Sequence, residues 1–209
     1  CDETATGDAS FSFDGMTEGS VTIAYDSNVD IYGFQFNVAG VALTSASSDL
    51  GDVSFSEATG NVVGFSFSGG SLASGSGDLV SLTFVPINGG AVLSVSDVVL
   101  SGVSATSIAA TGPGSTDVPA CANADGDSLC NVADDCADDA ENDADGDGIC
   151  GDVDDCPYDA EDDADGDGIC GDVDACPYDA ENDADGDGIC VDVDACPYDA
   201  ENDIDGDGI

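Results

Sequence analysis

The chain of 209 residues contains no Lys, no Arg and no His, whereas Asp and Glu number 46, so its formal charge is -46 at pH 7. Without cationic side chains it cannot neutralise nucleic-acid phosphates, and anionic membranes would repel it. A histidine base, a Schiff-base lysine and an oxyanion-binding arginine are all excluded. A pair of carboxylates, as in glycosidases, is disfavoured because the acids of the first 120 positions lie in turn-like contexts such as Asp26, Asp30 and Asp49. We expect a protein that is not an enzyme.

Trp and long apolar runs are also missing. No apolar stretch approaches the ~18–20 residues that a membrane-spanning helix needs, and no secretory signal is visible, so we expect a mature or excised chain. Cysteine, in contrast, is abundant: nine of the 10 cysteines lie in residues 121–209. This frequency is typical of an oxidising compartment, which predicts an extracellular or cell-surface protein.

The acidic residues are unevenly distributed, with 13 in residues 1–120 and 33 in residues 121–209. The first part has enough apolar side chains for one sandwich-sized core. The second has almost none and needs disulfides and metal ions to fold. We predict four segments: an N-terminal segment that could complete a preceding repeat (1–9), a β-sandwich (10–110), a linker rich in Gly, Pro, Ser and Thr (111–120) and a repeat array (121–209).

The first part alternates short β-branched and aromatic runs with Gly, Ser, Asn and Asp turns, which predicts a mainly β fold, an antiparallel sandwich. Phe34, Phe36 and Val38 recur at every second position, as do Phe65 and Phe67, so both groups are expected to face the core. Eight strands are predicted, at residues 10–14, 20–25, 31–39, 53–56, 62–68, 79–85, 91–95 and 98–103.

The segment Ser27-Asn-Val-Asp-Ile-Tyr-Gly-Phe-Gln-Phe-Asn-Val resembles the early strands of cohesin-type sandwich domains, and the likeness extends over about residues 19–104. It implies a jelly-roll, cohesin-like module of extracellular bacterial assemblies. No residue specific to a partner-binding surface is matched, so the resemblance implies no binding site.

Residues 121–209 repeat with a period of 20, and each full unit contains D-x-D-x-D-G with an acidic residue six positions after the glycine. Calcium takes six to eight oxygen ligands, and a curled loop of this spacing directs the carboxylates of positions 1, 3, 5 and 12 and the carbonyl of position 7 to one centre. Position 6 is glycine because the turn is sharp. In the first copy Ser128 replaces this glycine, and the last copy lacks a closing residue.

The predicted ligands of several Ca2+ ions are Asn123, Asp125, Asp127, Asp134, Asp143, Asp145, Asp147, Ile149, Asp154, Asp163, Asp165, Asp167, Ile169, Asp174, Asp183, Asp185, Asp187, Ile189, Asp194, Asp203, Asp205 and Asp207.

The short spacing between loops, the missing flanking helices and the Asp-x-Asp-Gly-Asp-Gly and Cys-Pro motifs make residues 121–209 similar to thrombospondin type-3 repeats. The resemblance implies an irregular calcium-loop repeat array in which the aspartates hold the ions and disulfides cross-link successive repeats. Its pairing implies Cys136–Cys150, Cys156–Cys170 and Cys176–Cys190 and leaves Cys121–Cys130 as a fourth bridge.

Two departures from that family leave the number of ions per repeat open. Position 9, often Asp in the family, is Gly or Val here, and the acids Asp152, Asp172 and Asp192 follow it as further candidate ligands. Position 13 is Asp155 in one unit and alanine in the next two.

Cys196 and Cys1 are left without partners. One hypothesis joins them between copies, because Cys1 would supply the cysteine that follows Ile209 in the pattern and make the chain a unit of a head-to-tail array. A second makes Cys1 the acylated first residue of a lipoprotein. In the third, the ends are where the chain was cut.

Two functional hypotheses follow. The first is a calcium-binding extracellular structural protein, a repeating unit of a surface fibre with a calcium-stiffened spacer. The alternative is a cell-surface adhesion module whose sandwich recognises a protein or glycan, which an exposed apolar or aromatic patch on the sandwich would favour.

Overall fold

The computed structural model of the chain describes residues 7–201. These residues divide into two compact units, with the boundary between Ala122 and Asn123. The first unit contains every strand of the described residues, and the second is irregular apart from one turn of 3-10 helix at Asn131–Ala133. The expected class, a mainly β chain whose sandwich precedes irregular disulfide-linked repeats, is confirmed.

The first unit has ten strands. They are β1 (Asp8–Asp14), β2 (Ser20–Ser27), β3 (Gly33–Ala39), β4 (Leu43–Ser47), β5 (Asp52–Phe55), β6 (Asn61–Phe65), β7 (Gly75–Phe84), β8 (Ala91–Ser101), β9 (Ser107–Thr111) and β10 (Gly114–Val118), with a short 3-10 turn at Val103–Ala105.

Two layers are linked through one strand. The order of the strands is β4-β7-β2-β1-β9-β8-β3-β6-β5, and β10 pairs with β8 beside β9. All pairs are antiparallel except β1 with β9, which are parallel. Because β9 contacts both β1 and β8, it closes the sandwich along one side.

The core forms because alternate side chains of each strand point inward. Phe34, Phe36 and Val38 of β3 are all buried, as predicted, and Phe36 is only 1 % exposed. They share one cluster with Ile23 of β2 and Leu82 of β7, each 0 % exposed. Both layers therefore bury their inner faces against each other.

The strand predictions need correction at several places. The predicted strands 91–95 and 98–103 form one strand, β8. Asp97, between the two predicted segments, adopts a positive φ of 53° but does not end the strand. The pairing of β3 with β8 shifts register between Gln35 and Asn37, which marks a bulge. Strand β4 was not predicted, since its sequence, LTSAS, is small and polar.

The predicted linker 111–120 is also wrong, because it contains β10. Gly114 to Val118 pairs with Val95 to Ala91 of β8, and Val118 is 3 % exposed. The Gly/Ser/Thr composition that suggested a linker also suits a short edge strand with one inward apolar residue.

The prediction that Phe65 and Phe67 face the core is wrong. In β6 the inward positions are Val62 and Gly64, and Phe65 lies on the opposite face. A Cβ atom on Gly64 would approach the ring of Phe34 to 2.2 Å, so the glycine makes room for that ring. Phe67 follows the end of the strand and is 84 % exposed.

We expect Val118→Ala to destabilise the sandwich by about 1–3 kcal/mol, because it removes two buried methyl groups from β10. Chemical denaturation of the whole chain measures the change. Val92→Ala on the adjoining strand is the control, since Val92 is 57 % exposed and faces solvent. Equal stability of the two variants would show that residues 114–118 do behave as a linker.

Candidate metal-binding loops

The second unit has four loops, at residues 123–134, 143–154, 163–174 and 183–194, with positions counted from the first residue of each. The last three share one geometry, and the first follows it in part. In the second loop the Asp143 carboxylate accepts hydrogen bonds from the amides of Gly146, at 2.7 Å, and Gly148, at 3.0 Å. Both glycines have positive φ values, 85° and 99°, which only glycine adopts freely. The carboxylate and the glycines therefore curl the loop.

Each further acid of the loop also orients a backbone amide. Oδ1 of Asp145 accepts from the amide of Asp147 at 3.3 Å, and Oδ1 of Asp147 accepts from the amide of Ile149 at 2.7 Å. At position 12, Oδ1 of Asp154 accepts from the amide of Cys156 at 2.7 Å. One oxygen of each carboxylate is thus used to fix the side chain.

The loops bring carboxylates together. In five groups of three aspartates, one oxygen from each residue lies within 4.8 Å of the others. The groups are Asp125/Asp127/Asp134, Asp143/Asp145/Asp147, Asp147/Asp154/Asp162, Asp163/Asp165/Asp167 and Asp183/Asp185/Asp187. In the first loop Asn123 takes position 1, and its Oδ1 accepts from the Gly126 amide at 2.7 Å, as Asp143 does in the second.

The second oxygens of two aspartates in every loop are buried without a hydrogen-bond partner. Each has less than 1 Å² of accessible surface, and each belongs to position 3 or position 12. They are Oδ2 of Asp125, Asp134, Asp145, Asp154, Asp165, Asp174, Asp185 and Asp194. A buried oxygen atom without a donor is costly, and an ionised one is costlier. The residues present therefore fit a bound cation.

The local environment separates the pKa values of neighbouring carboxyls. Desolvation, followed by the charges of nearby aspartates, raises the pKa of Asp145, Asp165 and Asp185 at position 3. At position 1, hydrogen bonds from the amides of Gly168 and Gly188 lower the pKa of Asp163 and Asp183, respectively.

Sequence reasoning missed the residue immediately before each of the second, third and fourth loops. Asn142, Asp162 and Asn182 have φ values of 60°, 57° and 56°, a left-handed conformation that Asn and Asp tolerate better than most residues. Their side chains turn back to the preceding loop. The signal was present in the sequence, because Asn or Asp occupies this place at all three of these boundaries.

Disulfides cross-link successive repeats, as expected. Cys136–Cys150, Cys156–Cys170 and Cys176–Cys190 are each separated by 14 residues. Cys121 and Cys130 are also disulfide-bonded, and their predicted mutual pairing remains a prediction. Cys196 has a free, half-buried thiol.

Other predicted site residues lie elsewhere. Asp152, Asp172 and Asp192 are exposed and belong to none of the described groups. Their backbone amides donate to the carboxylates of Asp139, Asp159 and Asp179 at 2.8–3.1 Å. Cys1, Asp203, Asp205, Asp207 and the expected junction at Ile209 lie outside the described residues.

Comparisons with known proteins show similar solved structures for about half of the chain. A type I cohesin–dockerin complex from Clostridium thermocellum matches 56% of this chain and 96% of that chain at 13% identity and a TM-score of 0.43. A non-cellulosomal cohesin from the archaeon Archaeoglobus fulgidus matches 54% of this chain and 92% of its own at 13% identity and a TM-score of 0.40.

A cohesin module from a family 33 glycoside hydrolase of Clostridium perfringens matches 56% of this chain and 98% of its own, also at 13% identity and a TM-score of 0.40. No protein-family model and no curated protein matches the sequence. Between residues 7 and 201 there is no helix long and apolar enough to cross a membrane.

In metal-free protein we expect the carboxyl of Asp165 to titrate above the range of an ordinary aspartate and that of Asp163 below it. The raised pKa means that the folded loop binds the Asp165 proton more tightly, so this contribution to stability is lost as pH rises through the folded pKa. The contribution of Asp163 is lost as pH falls through its lowered pKa. Carbon-13 NMR of the carboxyl groups measures both, and coincident titrations would contradict the loop geometry.

Proposed function

We propose that the chain is a calcium-binding extracellular structural protein, in which the repeats form a spacer stiffened by bound ions. The observation that carries this proposal is the pair of buried, unpartnered aspartate oxygens in each of four loops. Calcium, when bound, supplies the positive charge that these oxygens lack.

The donor set favours calcium over the transition metals. The loops offer carboxylates and backbone carbonyls, which are hard oxygen ligands that suit Ca2+ and Mg2+. The chain has no His, and the cysteines at residues 136–190 form disulfides, so the nitrogen and thiolate ligands that zinc and copper prefer are missing there. The D-x-D-x-D-G-x5-D spacing is that of calcium loops.

Bound ions and disulfides would stabilise each repeat in different ways. A disulfide that closes a ring of about 15 residues stabilises by about 3 kcal/mol, mainly by restricting the unfolded chain. It cannot offset the repulsion among carboxylates that converge within 4.8 Å. The cations reduce that repulsion and hold the loop oxygens in place, so a loaded repeat resists bending where an empty one is flexible.

The location and the assembly rest on other features. The disulfides support an extracellular or cell-surface location. A role in a surface fibre and head-to-tail self-association remain predictions, since one partner of the expected joint, Cys1, lies outside the described residues. The free thiol of Cys196 is the other partner.

We expect calcium removal to loosen the repeats and leave the sandwich folded. At affinities of ~10⁻⁴–10⁻³ M, typical of extracellular modules, about 10 mM calcium stabilises each loop by about 1–3 kcal/mol. Small-angle scattering and amide hydrogen exchange should show expansion and loss of protection in residues 123–201 after EDTA. Indifference of both measurements to EDTA would overturn the proposal.

A matched pair of variants tests whether calcium binds at the third loop. Asp165→Asn removes the charge at position 3 of the third loop and retains an oxygen for the hydrogen bond to the Asp167 amide. Asp172→Asn removes the same charge from an exposed residue of the same loop. We expect the first variant to weaken calcium binding about tenfold or more and the second to change it little.

An exposed patch on the sandwich supports a second candidate function, adhesion. Phe65 and Phe67 form an edge-to-face pair with ring centroids 4.7 Å apart, and Phe67 is 84 % exposed. The register places Val63 and Val99 on the same outer face, because both are opposite Gln35. Exposed aromatic and apolar side chains on one face are typical of protein or glycan contacts.

The adhesion candidate is tested with Phe67→Ser, which removes the exposed ring, and Val85→Ser, which changes an exposed apolar residue elsewhere. Titration calorimetry with defined oligosaccharides and with collagen and fibronectin as protein probes compares both variants with the parent chain. Binding lost in the first and retained in the second supports adhesion through this face. Absence of binding to every probe argues against it.

A further inference from the structure

The residue between two successive loops contacts a carboxylate of the earlier loop with its side chain. In two of three described boundaries this residue is Asn. The side-chain amide of Asn142 donates to Oδ2 of Asp127 at 3.2 Å, and that of Asn182 donates to Oδ2 of Asp167. Each amide thus satisfies a position-5 carboxylate of the loop before it and links two successive repeats.

The boundary between the second and third loops is different. Asp162 stands where its neighbours have Asn, with the same left-handed backbone, and a carboxylate has no proton to donate at neutral pH. Its oxygen instead lies within 4.8 Å of oxygens of Asp147 and Asp154. In residues 7–201, this is the one boundary at which three carboxylates converge.

Two further observations favour a cation at the three carboxylates. Oδ2 of Asp154 has less than 1 Å² of accessible surface and no hydrogen-bond partner, while its Oδ1 is bound by the Cys156 amide. The chain also contains no Lys, Arg or His, so no side chain anywhere in it can compensate the cluster. A solvated acidic face would leave these oxygens to water, which cannot reach the buried one.

We propose that Asp147, Asp154 and Asp162 hold an additional divalent cation across the boundary of two repeats, sharing Asp147 and Asp154 with the ion of the second loop. This inference rests on the proposed function, because the same ion, calcium, would occupy both places. Asn142 and Asn182 close the equivalent place at their boundaries with an amide.

The sequence provides its own comparison. Units 143–162 and 163–182 differ at only two positions, since Asp155 is replaced by Ala175 and Asp162 by Asn182. Asp155 is exposed and outside the groups of converging carboxylates. Exchange of one residue at the boundary therefore separates two otherwise equivalent sites.

Equilibrium dialysis of the whole chain with radioactive calcium, at saturating free calcium, counts the bound ions. We expect Asp162→Asn to lose about one ion per chain, and Asn182→Asp, which builds the same carboxylate triad at the next boundary, to gain about one. The first variant should fold, because it reproduces the boundary of Asn142. The double exchange should restore the parent count.

Asp155→Ala is the control, since it removes one charge from the same unit without touching the cluster. In a second measurement, by NMR, the carboxyl carbon-13 resonance of Asp162 should shift on calcium addition in the parent chain and in Asp155→Ala. An unchanged count in Asp162→Asn, or an equal loss in Asp155→Ala, would overturn the inference while calcium binding by the parent chain persists. A parent chain that binds no calcium would overturn the proposed function itself.

Discussion

Repulsion among carboxylates is the constraint on which the second unit depends. The backbone amides of each loop orient its converging aspartates, as the amides of Gly146, Asp147 and Ile149 do in the second loop. The same arrangement buries the second oxygens of positions 3 and 12 beyond the reach of any donor. Local geometry therefore creates a charge that the protein cannot offset, since it has no cationic side chain.

The disulfides compensate for the missing apolar core of the repeats. A unit of 20 residues that is rich in Asp and Gly has no apolar core, and its largest buried element is the cystine itself, with Cys136, Cys156 and Cys176 only 4–7 % exposed. A covalent ring limits the unfolded chain but is indifferent to charge. The disulfide and a bound cation would therefore act on different terms, and a cross-linked loop without a cation leaves the repulsion unopposed.

Sequence reasoning succeeded where one periodicity dominates and failed where two demands compete. The inward Phe34 and Phe36 follow the alternation of a strand, and the carboxylates at positions 1, 3 and 5 of the second loop converge as their spacing predicts. The prediction that Phe65 faces the core failed because Gly64 takes the inward position and makes room for the ring of Phe34. No local pattern shows this tertiary contact. Likewise, β10 looked like a linker because only Val118 of its five residues is buried.

The residues before the loops were missed for a different reason. The calcium-loop pattern begins at position 1, so the residue before it was assigned to the connection between repeats. The structure shows that a repeat array has no such neutral connection, because the side chain of each boundary residue reaches the loop before it. Units that are otherwise nearly identical can differ in charge only at their few variable positions. Among these, the boundary residue is the one whose side chain reaches the carboxylates of the loop before it, so we expect an exchange of Asn for Asp there to change ion binding without altering either loop.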